Sequence, residues 1–479
     1  MTAMGAFVLT AGFVAEATTG RLVAGAAGEI FGSVSTDTRT LAADALFIAL
    51  EGERFNGHDF LDVALERGAT GLLIAADKET RRRGNKEASN PAHRQVSIIV
   101  VDDTLRALQA LAREVRRRSG AKVVAITGSA GKTTTKEVTA ELLEARFTVF
   151  RNRGNLNNHI GLPLSLLELR QGPDLAVVEL GMNHAGEIRT LVGIAEPEVR
   201  VWINVGDAHI GQFGSREKIA AAKAEILEGA GPDTLIVANA DDALVMRHVA
   251  GVAGRVVTFG EATQADVRAI NVVDRGFEGT SADVVTPAGR LALTVPLPGR
   301  AQLGNVLAAT AVATAFHIDL AEIAERVAKL RPVARRGALS SLPGGVRVID
   351  DSYNASPAAV QAMLATLAST PTAGRRIAVL GEMLELGEAS RDLHEACGRA
   401  AAAAGINELV VIGGAPTQGT LAGAILGGMP GAHIRQFPTS AEAAPVVAAL
   451  VQPGDLVLVK GSRGTRTDIV ADRLLQEAS

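Results

Sequence analysis

The stretch that most constrains the fold of this chain runs from Val123 to Thr135. Its first part, Val123 to Ile126, is a short β-branched run typical of a buried strand. A glycine turn, Gly128 to Gly131, follows, and a helix is predicted from Lys136 to Ala145. A strand, a glycine turn and a helix in this order place backbone N–H groups and a helix N-terminus around a phosphate. The stretch therefore predicts an α/β domain that binds a nucleoside triphosphate.

The side chains of the turn predict the parts of a phosphate-binding loop. Lys132 would reach the terminal phosphates, and the Thr133 hydroxyl would hold Mg²⁺. Only Ser129 and Ala130 separate the two glycines, whereas the usual P-loop places four residues between its first glycine and the Gly-Lys pair. The alternative is a plain strand-to-helix turn with a surface lysine. Because strand, glycines, lysine and hydroxyl all occur in order, we favour the phosphate loop.

Composition narrows the class of protein. The 479 residues are enough for about two to four domains. A net charge of −4 and only 3% aromatic residues argue against nucleic-acid binding. The lone Cys397 excludes an intramolecular disulfide framework and favours a reducing, cytoplasmic location. No apolar run is long enough to span a bilayer. Met1 to Ala17 carries Glu16 and lacks a basic start, so we interpret it as a strand and a helix rather than a signal peptide.

Alternating strand and helix signals predict an α/β protein of three domains. Residues 1–104 are expected to form a small N-terminal α/β domain, and residues 105–331 a central nucleotide-binding domain with a mostly parallel sheet. Residues 332–479 are expected to form a C-terminal, Rossmann-like α/β domain. The segment from Leu330 to Gly337, rich in Pro, Gly and Arg, is interpreted as a hinge. Active sites in such sheets lie at the carboxyl ends of parallel strands.

Unusual side chains follow two of the central strands. Glu179 stands near the end of the apolar run Leu175 to Leu180, and the loop after the next strand carries His209. Together with Thr133, Glu179 could supply oxygen ligands to one Mg²⁺, an ion that prefers oxygen and keeps several waters. The residues alone leave His209 open between a ligand and a loop histidine. They favour a surface position for Lys223 on its alanine-rich helix.

Motifs along nearly the whole chain resemble those of the Mur ligases. Thr127 to Thr134 is similar to the ATP loop of that family, including its short glycine spacing. Further motifs occur in the family's order, namely Gly154 to Asn158, Glu179 to Gly181, Asn183 and His184, His209, and Ala222 to Ile226. Four more resemble the members that add D-alanyl-D-alanine, namely Ser35 to Arg39, Phe47 to Leu50, Asp350 to Asn354, and Gly381 to Gly387.

The resemblance implies an ADP-forming ligase that joins D-alanyl-D-alanine to UDP-N-acetylmuramoyl-tripeptide through an acyl phosphate. It implies ATP and Mg²⁺, with two ions, as cofactors. The implied nucleotide-binding residues are Gly128, Ser129, Ala130, Gly131, Lys132, Thr133, Thr134, Asn305, Arg336 and Asp351. The implied metal ligands are Thr133, Glu179, His209 and a carbamylated Lys223. The implied catalytic residues are Lys132, Lys223 and His209.

The resemblance also implies where the substrates bind. The UDP-sugar end would contact Ser35, Thr36, Asp37, Thr38 and Arg39, and the peptide would run along Asn155, Asn157 and Asn158, with Tyr353 and Asn354 in the same site. It implies no nucleic-acid partner and no membrane insertion, and we expect a monomer. Arg335 replaces the glycine that is usual before Arg336.

Two alternative functions stay open. One is the sister ligase that adds the third peptide residue, although the Asp-Asn-Pro-Arg motif of that enzyme is absent. The other is a P-loop ATPase without a ligation step, which would turn over ATP in the absence of any acceptor amine.

Overall fold

The structure is a computed structural model that describes residues 6–52, 55–78, 96–154 and 156–476. The chain forms two compact units. The first comprises Met1–Ala125, Phe147–Met182 and Gly186–Glu198, and the second comprises Ile126–Arg146, Asn183–Ala185 and Val199–Ser479. Within the described residues, no helix is both long enough and apolar enough to cross a membrane.

The N-terminal part of the first unit is built on a five-stranded sheet. Its elements are β1 (Leu9–Thr10), α1 (Ala11–Ala17), β2 (Arg21–Ala24), β3 (Ile30–Phe31), β4 (Ser33–Ser35), β5 (Ala45–Ile48), α2 (Leu61–Glu66), β6 (Gly71–Ala75) and β7 (Ser97–Val101). The sheet order is β2-β7-β6-β5-β4, and only β2 is antiparallel to its neighbour. Phe47, Leu72 and Ile74 are buried in its core, because these runs are apolar on both faces of the strands.

The next elements lead into the predicted nucleotide site. They are α3 (Thr104–Ser119), β8 (Lys122–Thr127), α4 (Lys132–Leu143), β9 (Val149–Arg151), α5 (Gly161–Leu166), β10 (Leu175–Glu179) and α6 (Glu187–Ala195). The Asp103 side chain caps α3 by accepting from the N–H groups of Leu105 and Arg106, and Gly120 ends the helix in the left-handed conformation. The predicted strand after this helix is confirmed, and its residues from Val123 to Thr127 are buried.

The central part of the second unit contains a parallel sheet with an antiparallel edge. Its elements are β11 (Val199–Trp202), α7 (Ile210–Phe213), α8 (Arg216–Ala224), β12 (Leu235–Asn239), α9 (Ala243–Val249), β13 (Arg255–Gly260), β14 (Val267–Asp274), β15 (Thr280–Thr286), β16 (Gly289–Val295), α10 (Ala301–Ala315) and α11 (Leu320–Ala328). Its strands follow the order β16-β15-β14-β13-β12-β11, and in the first unit β10 pairs parallel with β9. β15 pairs antiparallel with both neighbours, and the half-exposed alternation along β15 and β16 is typical of such a hairpin.

The C-terminal part of the second unit is a doubly wound domain. Its elements are β17 (Ala338–Ser341), β18 (Arg347–Asp351), α12 (Pro357–Ser369), β19 (Arg376–Gly381), α13 (Ser390–Ala403), β20 (Glu408–Ile412), α14 (Gln418–Leu426), β21 (Ile434–Phe437), α15 (Ser440–Leu450), β22 (Leu456–Lys460) and α16 (Asp468–Gln476). The order β17-β18-β22-β19-β20-β21 is parallel except for β17. The four strands predicted from the sequence are present, and the less apolar edge strands β17 and β21 are additional.

Candidate active site

The glycine turn leads directly into a helix. α4 begins at Lys132, not at Lys136 as the sequence pattern predicts, so Thr133 and Thr134 belong to its first turn. Gly131 stands at the N-cap with φ +84°. A Cβ atom on Gly131 would lie 2.3 Å from Asn305 Oδ1, so both the backbone conformation and this close approach require glycine. The positive end of the helix dipole therefore lies at Lys132, the residue predicted to bind phosphate.

Asn204, which the sequence analysis did not single out, holds the glycine turn in place. Its Oδ1 accepts hydrogen bonds of 3.0 Å from both the Ser129 and the Ala130 N–H groups, and its Nδ2 donates to the Ala130 carbonyl oxygen at 3.1 Å. Two N–H groups of the predicted phosphate loop are thus already engaged by a side chain that follows β11. The only signal in the sequence is an amide immediately after a buried strand.

Replacing Asn204 by alanine should destabilise the nucleotide-free protein by about 1 kcal/mol, because the Ala130 N–H loses its acceptor. ADP should then raise the unfolding temperature more in the variant than in the wild type, since phosphate oxygens would replace the lost acceptor. Thermal unfolding with and without ADP measures both effects. An equal ADP-dependent increase in the two proteins would contradict this role of Asn204.

Two predicted nucleotide-binding side chains lie at the glycine turn. One follows the turn directly in sequence, and the other comes from a helix far away in sequence. The Lys132 Nζ donates to the Gly128 carbonyl oxygen at 2.9 Å. The buried Asn305 of α10 accepts from the Thr135 hydroxyl at 3.2 Å and donates to Gln302 Oε1 at 2.8 Å. Hydrogen bonds between an ammonium and phosphate oxygens are about twice as strong as neutral ones. Lys132 would therefore exchange its carbonyl partner for a bound phosphate.

Lys223 is buried, so the interpretation of this residue as a surface lysine is wrong. Lys223 lies on α8 and is only 2% exposed. Burial, and in addition the nearby positive charge of Lys132, hold the pKa of Lys223 well below its usual range. Among the described residues, no carboxylate pairs with its ammonium group and no hydrogen bond to it is recorded. A buried cation without a counter-charge is costly, and this points to a chemical role.

His209 lies in the same unit, directly before α7. Its Nδ1 is 2.7 Å from Oε2 of Glu385, a residue of the loop after β19. The hydrogen bond from His209 lowers the pKa of Glu385, and partial burial opposes this effect. Glu385 falls within a motif quoted from the sequence, but nothing in the sequence pairs it with His209. The His209 ring thus contacts the loop after β19 through Nδ1.

Glu179 and the amide-rich segment lie in the first unit. Glu179 is 2% exposed at the end of β10, and its Oε1 accepts from Asn157 Nδ2 at 2.6 Å. Asn158 has a different role, since its Oδ1 accepts from the N–H groups of Ile160 and Gly161 at the start of α5. Asn155 lies outside the described residues. The structure thus supports a link between the amide-rich segment and Glu179 through Asn157.

Each unit contains side chains whose chemistry suits Mg²⁺ or a nucleotide. The described residues contain no cluster of three His, Cys, Asp or Glu side chains that could hold a metal. Mg²⁺ does not require one, because in nucleotide sites it is bound by one or two carboxylates together with waters and phosphate oxygens. Glu179 and Thr133 carry suitable oxygens. Lys223 would add carboxylate-type oxygens if its amine combined with carbon dioxide, and its lack of an anionic partner fits such a modification.

A second group of predicted residues lies at the carboxyl ends of β18 and β22. The buried Lys460 Nζ contacts Asp351 Oδ2 at 2.6 Å and donates to the Asn354 carbonyl oxygen at 2.9 Å. Burial raises the pKa of Asp351, and the Lys460 charge opposes this rise. The Arg336 guanidinium stacks over the Tyr353 ring, 4.1 Å from its centroid. Lys460, which the sequence analysis did not name, therefore supports Asp351, the carboxylate predicted to contact the nucleotide.

The structure assigns different contacts to the two neighbouring arginines of the predicted hinge. Arg335 adopts φ +59° and directs its guanidinium to Asp472 of α16, at 3.0 Å. Asp468 and Asp350 lie within 4.0 Å of the same group. Arg336 instead stacks on Tyr353. Arg335 thus anchors the segment to the C-terminal helix, and nucleotide binding by Arg336 stays a prediction.

Replacing Arg336 by alanine should therefore raise the KM for ATP about tenfold, because a charged hydrogen bond to the nucleotide contributes about 1.5 kcal/mol or more. Replacing Arg335 by glycine should leave this KM within about twofold. In that variant, loss of partly exposed ion pairs costs about 1 kcal/mol or less, and relief of the left-handed backbone offsets it. Steady-state kinetics with varied ATP measures both. A larger effect at Arg335 would reverse the assignment.

The predicted UDP-binding loop lies in the N-terminal part of the first unit. The Asp37 carboxylate accepts from the Arg39 N–H at 2.9 Å and pairs with its guanidinium at 2.6 Å. These hydrogen bonds lower the pKa of Asp37 to about 2. The Ser35 hydroxyl donates to the Asp37 carbonyl oxygen, and Arg67 donates to that of Thr38. The Arg39 side chain is 85% exposed, so its guanidinium is accessible to a ligand.

Family comparisons agree with this architecture along most of the chain. Residues 31–116 match the model "Mur ligase family, catalytic domain", residues 126–313 match "Mur ligase middle domain", and residues 335–463 match "Mur ligase, glutamate ligase domain". The chain belongs to the Mur ligase family.

Two similar relatives carry the same name. The "UDP-N-acetylmuramoyl-tripeptide--D-alanyl-D-alanine ligase" of Bacillus subtilis is 32% identical and covers 92% of this chain and 93% of its own length. The Escherichia coli protein of the same name is 38% identical over 80% of this chain and 81% of its own. The crystal structure of MurF from Acinetobacter baumannii has a TM-score of 0.85 at 30% identity and covers 99% of this chain and all of its own. MurF from Thermotoga maritima in complex with ADP has a TM-score of 0.77 at 29% identity, over 93% and 97% of the two chains.

Proposed function

We propose that this chain is the ATP-dependent ligase that adds D-alanyl-D-alanine to UDP-N-acetylmuramoyl-tripeptide. The products are ADP, phosphate and the UDP-N-acetylmuramoyl-pentapeptide used for peptidoglycan synthesis. The observation that carries the proposal is the buried, unpaired Lys223 beside the Lys132 loop, in a chain whose relatives carry this activity in their name. We further propose that it acts in the cytoplasm as a monomer, in line with its single buried cysteine.

The reaction proceeds through an acyl phosphate. The terminal carboxylate of the tripeptide attacks the γ-phosphate, the bond to the β-phosphate oxygen breaks, and ADP leaves. Lys132 and the N-terminus of α4 stabilise the charge on the transferring group. The amine of D-alanyl-D-alanine then attacks the acyl carbon and loses a proton, and the tetrahedral intermediate releases phosphate as the amide forms. Water must be excluded meanwhile, because it would hydrolyse the acyl phosphate.

The metal ligands are part of the proposal. Thr133, Glu179, His209 and a carbamylated Lys223 would hold Mg²⁺, with two ions in all. Bound Mg²⁺ would neutralise charge on the phosphates. Carbamylation needs the neutral amine, and the lowered pKa of Lys223 increases the neutral fraction. The product would be a carboxylate-like group at a buried position that lacks one.

Binding roles are proposed for the remaining residues as follows. ATP would contact the turn from Gly128 to Thr134, with Asn305, Arg336 and Asp351. The uridine diphosphate sugar would contact the loop Ser35, Thr36, Asp37, Thr38 and Arg39, where Arg39 offers an accessible cation for a diphosphate. The peptide and the incoming dipeptide would lie along Asn157, Asn158, Tyr353 and Asn354.

An acceptor comparison tests the proposed function. The purified protein receives ATP, Mg²⁺ and either UDP-N-acetylmuramoyl-tripeptide with D-alanyl-D-alanine, or the corresponding dipeptide with diaminopimelate or lysine. Mass spectrometry should detect a joined product only with the first pair, and ADP release should depend on both substrates. Joining of the third residue would favour the sister ligase. ADP release that is equally fast without substrates, with no joined product, would favour the non-ligating ATPase.

A further inference from the structure

The segment after β11 joins two parts of the second unit. Ile210, the first residue of α7, packs against the buried cluster of the C-terminal domain that includes Met383 and Leu386. The N–H group of the next residue, Gly211, donates to the Glu385 carbonyl oxygen at 3.2 Å. An apolar contact and a main-chain hydrogen bond thus fasten α7 to the loop between β19 and α13.

Two glycines let the two backbones meet. A Cβ atom on Gly211 would lie 2.4 Å from the Gly387 nitrogen and 2.7 Å from the Glu385 carbonyl oxygen. A Cβ atom on Gly387 would lie 2.8 Å from the Gly211 Cα. Real Cβ atoms do not approach main-chain atoms this closely, so no other residue fits either position in this arrangement. The packing of α7 against the loop between β19 and α13, which we call the docked state of the C-terminal domain, therefore requires glycine at position 211.

The 2.7 Å contact between His209 Nδ1 and Glu385 Oε2 lies at the same place. Both residues adopt φ +66°, a region that is uncommon for residues other than glycine and that persists only where the surroundings enforce it. The Glu385 side chain is 54% exposed, so the pair contributes little to stability. Its geometric effect is specific, because a histidine held through Nδ1 presents Nε2 as its ligating nitrogen.

We propose that Glu385 is a positioning residue that orients His209 for Mg²⁺-nucleotide binding when the C-terminal domain is docked through Ile210 and Gly211. This inference rests on the metal role of His209 in the proposed function. Because Glu385 comes from the C-terminal domain and His209 from the nucleotide-binding domain, docking and Mg²⁺-nucleotide binding are coupled. The coupling is reciprocal, so Mg²⁺-nucleotide also favours docking.

Calorimetric titration with ADP over a range of Mg²⁺ concentrations tests the positioning role. Glu385→Gln should raise the Mg²⁺ concentration for half-maximal ADP binding about tenfold and leave ADP binding in EDTA unchanged. Glu388→Gln, an exposed substitution in the same loop, should behave as wild type. An unchanged Mg²⁺ dependence in Glu385→Gln, or an equal loss in EDTA, would overturn the proposal. No ligation is required, so this outcome is separable from failure of the proposed function.

Distance measurements test the docking contact without any ligand. Spin labels at Glu217→Cys and Glu388→Cys, both exposed positions, report the separation of α8 from the loop. Cys397 is buried and burial raises its pKa to about 12, so it should not react with the label. The otherwise wild-type protein should give one narrow distance distribution. Adding Gly211→Ala should broaden it towards longer distances, whereas Gln212→Ala should not. An unchanged distribution with Gly211→Ala would overturn the coupling.

Discussion

Replacing Lys132 by alanine should lower kcat/KM for ligation by about 10²- to 10³-fold. The Lys132 ammonium lies beside the glycine turn and donates to the Gly128 carbonyl oxygen. In the proposed reaction it stabilises the charge on the transferring phosphoryl group. ADP release and joined product, measured together with saturating substrates, should fall in parallel.

Lys122→Ala provides the matched control for this variant. Lys122 is an exposed lysine on the strand that leads into the same turn, and its removal should leave the kinetics unchanged. Both variants should unfold at the wild-type temperature, since neither side chain is part of the core. Retention of full ligase activity by Lys132→Ala would contradict the assignment of the turn as the phosphate site.

Replacing Lys223 by alanine should cause a comparable loss of ligation, of the order of 10²-fold or more. The reason is different, because the proposed group is the carbamate oxygens and not an ammonium charge. Truncation leaves space at a buried position, into which a short carboxylic acid such as formate or acetate can bind. Added acid should therefore restore part of the activity, and wild-type activity should not respond.

The control for this variant lies on the same helix. Lys218 of α8 is exposed, and Lys218→Ala should keep wild-type rates with and without added acid. If Lys223→Ala retained full activity, the carbamate would be excluded. If it lost activity and showed no rescue by any short acid, the buried lysine would act as an amine or through packing.

The sequence predicts most strands of this fold because their apolar runs are long and bounded by turn residues. The predicted runs Val123 to Ile126 and Leu175 to Leu180 both match observed strands, which end at Thr127 and Glu179. The antiparallel edge formed by β14, β15 and β16 was not predicted, because its alternating pattern carries no long apolar run. The start of α4 at Lys132 was missed for another reason. Threonine-rich first turns have weak helix propensity, and here the glycine turn and its contacts decide where the helix begins.

In the candidate site, too, sequence patterns did not predict the position or the contacts of several single residues. The alanine-rich helix around Lys223 gave no periodic signal that would distinguish a buried from an exposed lysine. Asn204 and Lys460 form hydrogen bonds with residues 74 or more positions away in sequence. Which residues meet in this way depends on the order of the strands in the sheet, and sequence patterns do not give that order. The sequence gives no sign that Arg335 pairs with Asp472 while Arg336 stacks on Tyr353. Sequence motifs predict the groups proposed to react, whereas the residues that orient these groups are identified only from the structure.

Transfer of an oxygen label tests the central claim most directly. Both oxygens of the tripeptide's terminal carboxylate are ¹⁸O, and the inorganic phosphate released during ligation is analysed by mass spectrometry. One ¹⁸O is expected in each phosphate released, formed only when ATP, Mg²⁺ and D-alanyl-D-alanine are all present, in step with the pentapeptide product. Unlabelled phosphate, or labelled product without labelled phosphate, would contradict an acyl phosphate formed at the Lys132 loop.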